Sequence, residues 1–334
     1  AGAPATVGAA HTGSSNQWRC SVKVLVLGGA GFIGPRVMRK LLERGHDVAC
    51  MDLNTNAPTL APVRDKAQVL RGDVTLMDDV VRVMLETKPD RVLNLAYLLG
   101  SGDEDPHFGV RVNVMGMDNC FEAARLCGVR RVTYASSLAV YGLQKHFGER
   151  MLTEDDLRHG TGVYAVSKIF NEHQAEWYNK AYGMAITGVR PANVTGPDKV
   201  RGSIDHVRCV TLPARGEPVS FRYRDMMWLP IHVEDTAEIF TRVTLAETTR
   251  HAVYNSGGES IGIAGIAAIV RGYLPDAQIE FEHDEGGFER SGNYLMDNSR
   301  LREEFEITLA PYRDRVLEII NDVRREAGLP LVRV

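Results

Sequence analysis

The run Val22-Lys23-Val24-Leu25-Val26-Leu27 leads directly into Gly28-Gly29-Ala30-Gly31-Phe32-Ile33-Gly34. The first six residues are apolar and β-rich, the kind of segment buried on both faces of a parallel sheet. Residues 35–44 then read as a helix with Val37, Leu41 and Leu42 on one face, and Gly45 stands where a C-terminal glycine is expected. The spaced glycines Gly28, Gly31 and Gly34 therefore fill a strand-to-helix turn, the context this motif needs. One glycine makes the tight turn, another lets backbone approach a pyrophosphate, and the last lets the helix pack close to the sheet. The phosphates then meet free N–H groups at the positive end of a helix.

The alternation continues along the chain. Residues 47–51, 68–70, 91–96, 131–136 and 185–189 read as strands, and 76–87, 110–126 and 162–182 as helices. Strands alternating with helices imply right-handed crossovers and a doubly wound parallel α/β sheet. After Pro191 the regularity weakens, although 234–245, 261–271 and 311–325 still read as helices. The expected division is a flexible tail at 1–20, a sheet domain from 21–194 plus about 233–256, and a small C-terminal substrate lobe from about 195–232 plus 257–334. That lobe is expected over the carboxyl ends of the strands, where ligands bind in such sheets.

Composition removes several classes. The 39 basic and 43 acidic residues leave a net charge of −4, so nothing draws the chain to nucleic acid or to an anionic membrane. No apolar run approaches the ~20 residues that span a bilayer. Residues 1–20 lack the basic start and apolar core of a secretory signal. Cys20, Cys50, Cys120, Cys127 and Cys209 are scattered with no CxxC pair, which fits free thiols in a reducing cytoplasm. His107, His146, His159 and His173 have no metal-like spacing, so no metal is expected.

The second strand ends at Asp52, 18 residues beyond Gly34. An acid there accepts both ribose hydroxyls of adenosine and repels a 2′-phosphate, which favours NAD over NADP. Further on, Tyr164 and Lys168 stand at i and i+4 and share a helix face. A free tyrosine has a pKa of ~10, too high for a base at neutral pH. A lysine ammonium and an oxidised nicotinamide ring beside it favour the phenolate. The phenolate can then take a proton from an alcohol, and a hydroxyl at the end of the fifth strand, where Ser136 and Ser137 lie, would hold the substrate oxygen.

With these motifs together, the chain resembles the extended short-chain dehydrogenase/reductase family, which includes nucleotide-sugar epimerases and dehydratases. The resemblance covers about residues 22–330 and rests on GGAGFIG at 28–34, RGDV at 71–74, LNLAY at 93–97, RVNVMG at 111–116, YASSLAVYG at 134–142, YAVSK at 164–168 and RPANVTGP at 190–197. It implies a Rossmann-type NAD domain, a small substrate lobe and reversible hydride transfer to the nicotinamide. It further implies that Gly28, Gly31, Phe32, Ile33 and Gly34 hold the pyrophosphate and Asp52 the ribose. Asp73 and Val74 would flank the adenine, Leu95, Ala96 and Tyr97 would line the cofactor, and Asn113 would brace that region. Ser137, Tyr164 and Lys168 would be catalytic, Lys168 also bonding the nicotinamide ribose, with Ser136 a backbone-capping neighbour. Pro191 would lie against the nicotinamide, and Asn193 would face substrate.

Two departures bear on substrate. Leu138-Ala139 stands where the dehydratase branch carries Asp-Glu, which argues against 4,6-dehydration. The loop 98–102 is more apolar than a sugar-binding loop needs to be, and its Leu98-Leu99 pair and the Met226-Met227 run resemble the threonine dehydrogenases of the family. Arg222 and Arg224 are expected to contact substrate, since guanidinium binds phosphate in a bidentate way. The resemblance also implies a homodimer through helices 110–126 and 163–182. The expected activity is NAD-dependent oxidoreductase or epimerase chemistry at a secondary hydroxyl of a sugar, sugar nucleotide or similar small molecule. The alternatives are a simple dehydrogenase of a small hydroxy compound and a non-catalytic NAD(P) sensor.

Overall fold

The computed structural model describes residues 21–99 and 104–333; the expected tail at 1–20, Cys20 and the loop positions 100–102 lie outside the described residues. Strands β1 (Lys23–Leu27), β2 (Asp47–Asp52), β3 (Gln68–Arg71), β4 (Arg91–Asn94), β5 (Arg131–Ala135) and β6 (Ala185–Arg190) join Val253–Asn255 in one seven-stranded sheet. Its order is Val253–Asn255, β6, β5, β4, β1, β2, β3, and every neighbouring pair is parallel. The reversal of winding falls between β1 and β4, where open α/β sheets leave a crevice at the carboxyl ends of their strands.

Strand side chains alternate between the two faces, so β1 feeds two cores. Val24 and Val26 pack with Val37, Met38 and Leu41 of α1 (Gly34–Glu43). Leu25 and Leu27 pack with Val80, Val83 and Met84 of α2 (Met77–Thr87) and Phe121 of α3 (Gly116–Leu126). The helix α4 (Gly162–Tyr182) lies beside α3. At the opposite end of the sheet, buried Arg91 donates to the carbonyls of Thr244 and Ala246 (2.8 and 2.7 Å), closing the C-terminus of the helix Val233–Leu245.

Several elements differ from the sequence reading. The strand expected at 91–96 stops at Asn94, because the Asn94 side chain accepts the Ala96 N–H at 3.0 Å and turns the chain out of the ladder. The helix expected at 110–126 begins earlier, at Pro106–Val110, where Asp105 caps the Phe108 N–H at 3.0 Å. It then passes through a π-helical turn, Arg111–Met115, before α3. Asp205–Ala214 is a helix that the sequence reading missed in a stretch rich in turn residues and charge, and Pro213 stands in its last turn. The strands Val219–Tyr223 and Ile279–His283 pair in parallel, and Val210, Phe221, Ile266 and Ile320 share a third core with them.

Candidate active site

The glycine loop sits at the carboxyl end of β1. Gly28 has φ +74°, and a Cβ there would lie 2.6 Å from the Ala96 Cα. A Cβ on Gly34 would lie 2.4 Å from the Gly29 carbonyl oxygen. Packing alone therefore demands glycine at both positions. Gly31 differs, since its Cβ would meet only the Gly28 carbonyl oxygen, at 3.3 Å. Ile33 precedes α1, whose first turn has no capping side chain and includes Pro35. Its N–H groups remain available for an anion. The Phe32 carbonyl accepts from Arg36 at 2.8 Å, which ties the loop to its helix.

Asp52 reaches back across the loop. Its Oδ2 accepts the Ala30 N–H at 3.0 Å and its Oδ1 the Asn54 N–H at 3.1 Å. Arg64 is held on backbone carbonyls of Thr55 and Ala57 (2.8 and 3.2 Å) rather than beside Asp52. Asp73 caps Thr75 at 2.8 Å, and Val74 is fixed by Asn119, which donates to its carbonyl at 2.8 Å. The Leu95 N–H bonds Leu27 at 2.9 Å, which brings 95–97 beside the glycine loop. Buried Asn113 clasps Leu98 from both sides, accepting its N–H at 2.8 Å and donating to its carbonyl at 3.1 Å.

The Ser137 Oγ accepts the Ala139 N–H at 3.1 Å and so starts the short 3-10 turn Leu138–Tyr141. Burial pushes the Tyr164 phenol above its usual pKa, and the Ser137 side chain opposes that shift. One turn along α4, the ammonium of buried Lys168 donates to the Ala135 carbonyl. Burial also drives Lys168 well below its ordinary pKa, against the pull of Glu172. The sequence reading has the lysine and the oxidised nicotinamide ring together favouring the phenolate. Desolvation disfavours both charged forms, so the groups that face the pair decide how far each ionises.

Glu172, which the sequence reading missed, is the buried hub of this region. Its Oε1 accepts Ser136 Oγ at 2.6 Å and Arg190 Nε at 2.8 Å, and Arg190 Nη2 reaches its Oε2 at 2.8 Å. Arg158 Nε adds a contact at 2.9 Å. Ser136 thus binds a carboxylate and is not a backbone cap. The signal was present, because Glu172 stands at i+8 from Tyr164 and i+4 from Lys168.

Other residues serve the framework. Pro191 accepts the Leu138 N–H at 3.0 Å, joining the end of β6 to the Ser137 turn. The Asn193 Oδ1 accepts the Leu229 N–H at 2.9 Å, so its carbonyl end is committed to the protein. Arg222 and Arg224 are exposed, Arg222 over the Tyr223 ring and Arg224 at 3.8 Å from Asp284, all within the lobe. Asp225 accepts backbone N–H groups of Gly286, Gly287 and Phe288 and fixes that loop. Among the described residues no cluster of His, Cys, Asp and Glu could hold a metal ion.

The profile of the NAD dependent epimerase/dehydratase family matches residues 24–257, the whole sheet domain with its glycine loop and its Tyr-Lys helix. The chain belongs to this family. A UDP-glucose 4-epimerase of Mycolicibacterium smegmatis is 33% identical over 183 residues, 53% of this chain and 57% of that protein. The chain spans about half the length of the curated relatives it matches. Among solved structures, the Thermus thermophilus UDP-glucose 4-epimerase in complex with NAD has a TM-score of 0.79 at 26% identity, over 90% of this chain and 99% of that one. An L-threonine dehydrogenase from Clostridium difficile has a TM-score of 0.81 at 20% identity, over 93% and 99%, and shows the shared fold.

The glycine loop fits the family's cofactor. Gly31 is a glycine that packing does not require, at an uncapped helix end, beside a carboxylate on the next strand. Leu138 and Ala139 occupy the 3-10 turn after Ser137, so no acidic pair follows the serine.

Proposed function

We propose that this family member is an NAD-dependent oxidoreductase or epimerase acting at a secondary hydroxyl. Tyr164 is the acid/base, Ser137 holds the substrate oxygen, and Lys168 supports the phenolate and bonds the nicotinamide ribose. The observation that carries this reading is the meeting of all three at the end of β5, with Lys168 anchored on Ala135 and Ser137 acting on the Tyr164 phenol. Gly28, Gly31, Phe32, Ile33 and Gly34 hold the pyrophosphate, and Asp52 the ribose of NAD rather than NADP. Asp73, Val74, Leu95, Ala96 and Pro191 complete the cofactor wall, braced by Asn113. The bound cofactor accepts and returns a hydride and adds positive charge beside the phenol. Tyr164 removes the hydroxyl proton while Ser137 keeps the oxygen in place.

The substrate is a sugar, a sugar nucleotide or a similar polar alcohol, in keeping with the epimerase relatives. A small hydroxy compound is the second reading. It is favoured by Arg222 and Arg224, which are exposed and engaged on lobe residues rather than gathered near Ser137. Residues 21–194 and 233–256 form the cofactor part, and 195–232 with 257–334 select substrate. The protein works in the cytoplasm as a homodimer. That assembly is supported by Val166, Phe170 and Trp177, which leave 53%, 48% and 63% of their surface exposed along one face of α4.

A panel of nucleotide sugars, free sugars, sugar acids and 3-hydroxy amino acids with NAD, followed by NADH absorbance, tests the reading. A dehydrogenase gives absorbance that grows with substrate; an epimerase gives altered sugar without net NADH. Turnover that survives both Tyr164→Phe and Lys168→Ala would overturn the mechanism.

A further inference from the structure

Tyr97 does more than line a cofactor wall. The Lys168 Nζ lies over its ring, 3.2 Å from the centroid. The same ring meets Tyr164 edge to face, with centroids 5.4 Å apart and planes at 88°. The Tyr164 ring itself is farther from the ammonium, at 5.8 Å. Tyr97 is thus the aromatic group in closest touch with the lysine, and it contacts both members of the pair.

The ring is held firmly in that place. Its hydroxyl donates to the Asn171 Oδ1 at 3.2 Å, and Asn171 donates in turn to the Asn113 carbonyl at 3.1 Å. Asn113 clasps the next residue, Leu98, by two hydrogen bonds. Neither partner is charged. Burial, with Tyr164 beside it, outweighs a hydrogen bond with Ser167 and holds the Tyr97 phenol far above its usual pKa.

We propose that Tyr97 is a positioning residue that keeps the Lys168 ammonium charged inside the protein and so sets the ionisation of Tyr164. A cation over an aromatic face is stabilised by the ring quadrupole, most strongly when both are desolvated. The ammonium has three donors. The Ala135 carbonyl takes one and the Tyr97 face another, which leaves one for the ribose of NAD. The other groups around the ammonium are few. Tyr164 and Glu172 face it from its own helix, and Glu172 is already bound by Ser136 of the β5 end, Arg190 of β6 and Arg158. Glu172 still pulls the lysine toward its charged form, but its oxygens are shared with Ser136, Arg190 and Arg158, and the Tyr97 face is in direct contact with the ammonium.

This inference rests on the reading of Tyr164 and Lys168 given above, and the test separates the two. The NAD-saturated protein is titrated by tyrosinate absorbance, and the difference between wild type and Tyr164→Phe isolates the Tyr164 transition. The same difference is taken in Tyr97→Leu and Tyr97→Phe backgrounds. The wild-type transition is expected below the ordinary value of about 10. In Tyr97→Leu it moves up by about one pH unit, a tenfold loss of phenolate at a given pH. In Tyr97→Phe, which keeps the ring and loses the Asn171 bond, it stays in place. If Tyr97→Leu does not fold, Tyr97→Met fills similar space without an aromatic face. A transition unmoved by loss of the ring, or moved equally by Tyr97→Phe, overturns the role of Tyr97 alone. A wild-type transition that is not lowered overturns both readings.

Discussion

Glu172 and Arg190 form a fully buried bidentate pair, with Nε to Oε1 and Nη2 to Oε2 both at 2.8 Å. The pair joins α4 to the end of β6, and Ser136 and Arg158 bind the same carboxylate. It therefore holds together the three elements that carry Ser137, Lys168 and Pro191. Removing one partner of a buried pair leaves an uncompensated charge and costs roughly 3–5 kcal/mol. Glu172→Ala is expected to lose stability on that scale, read from denaturant midpoints, and to lose NAD binding with it. Burial pushes the Glu172 carboxyl up, but Arg190, Ser136 and Arg158 outweigh that and hold it below its ordinary 4.5. Its stabilisation is thus complete above 4.5 and disappears as pH falls through the folded value.

The three spaced glycines should separate by experiment. Gly28→Ala and Gly34→Ala place a methyl 2.6 Å from the Ala96 Cα and 2.4 Å from the Gly29 oxygen, both backbone atoms. Each is expected to lower the stability of the cofactor-free protein by roughly 1–3 kcal/mol. Gly31→Ala meets one oxygen at 3.3 Å and should leave that stability nearly unchanged while weakening NAD binding. Thermal melts with and without NAD distinguish the two behaviours. Equal destabilisation by all three would count against the role given to Gly31.

His232 makes the protein sensitive to acid. Its Nδ1 accepts the Glu234 N–H at 3.3 Å at the start of a helix, and burial depresses its pKa from 6.5 to about 3. The neutral ring is common to folded and unfolded chains above 6.5, so it has no pH effect there. Below 6.5 only the unfolded chain gains the proton, and stability declines until about pH 3. His232→Asn keeps a capping oxygen and removes the titration. Its melting temperature should fall less steeply than wild type across that window.

The α4 face offers a direct test of assembly. Val166, Phe170 and Trp177 are spaced to share one helical stripe, and all three are exposed. Phe170→Glu places a charge in that stripe. Light scattering should show a dimer for the wild type and a monomer for the variant, with the secondary structure unchanged. A wild-type monomer at all concentrations would reject the homodimer.

The parts of the protein set by local rules were legible in the sequence. The β1, glycine loop and α1 unit depends on strand pattern, glycine spacing and a helix face, all within about 20 residues. Tyr164 and Lys168 are one helix turn apart, so their proximity follows from helix geometry. The lobe was less legible, because its parallel pair joins Val219–Tyr223 to Ile279–His283 across a long stretch of chain.

The environment of Tyr164 and Lys168 is a product of the tertiary fold. Position alone places a lysine near a tyrosine; it does not say whether water or protein surrounds them. The fold buries Lys168 against the Ala135 carbonyl, lays the Tyr97 ring over it and sets the Glu172–Arg190 pair beside it. Those neighbours come from four different strand ends and helices. Charge in a low-dielectric interior depends on every group within a few ångströms, so its state is a property of the assembled fold.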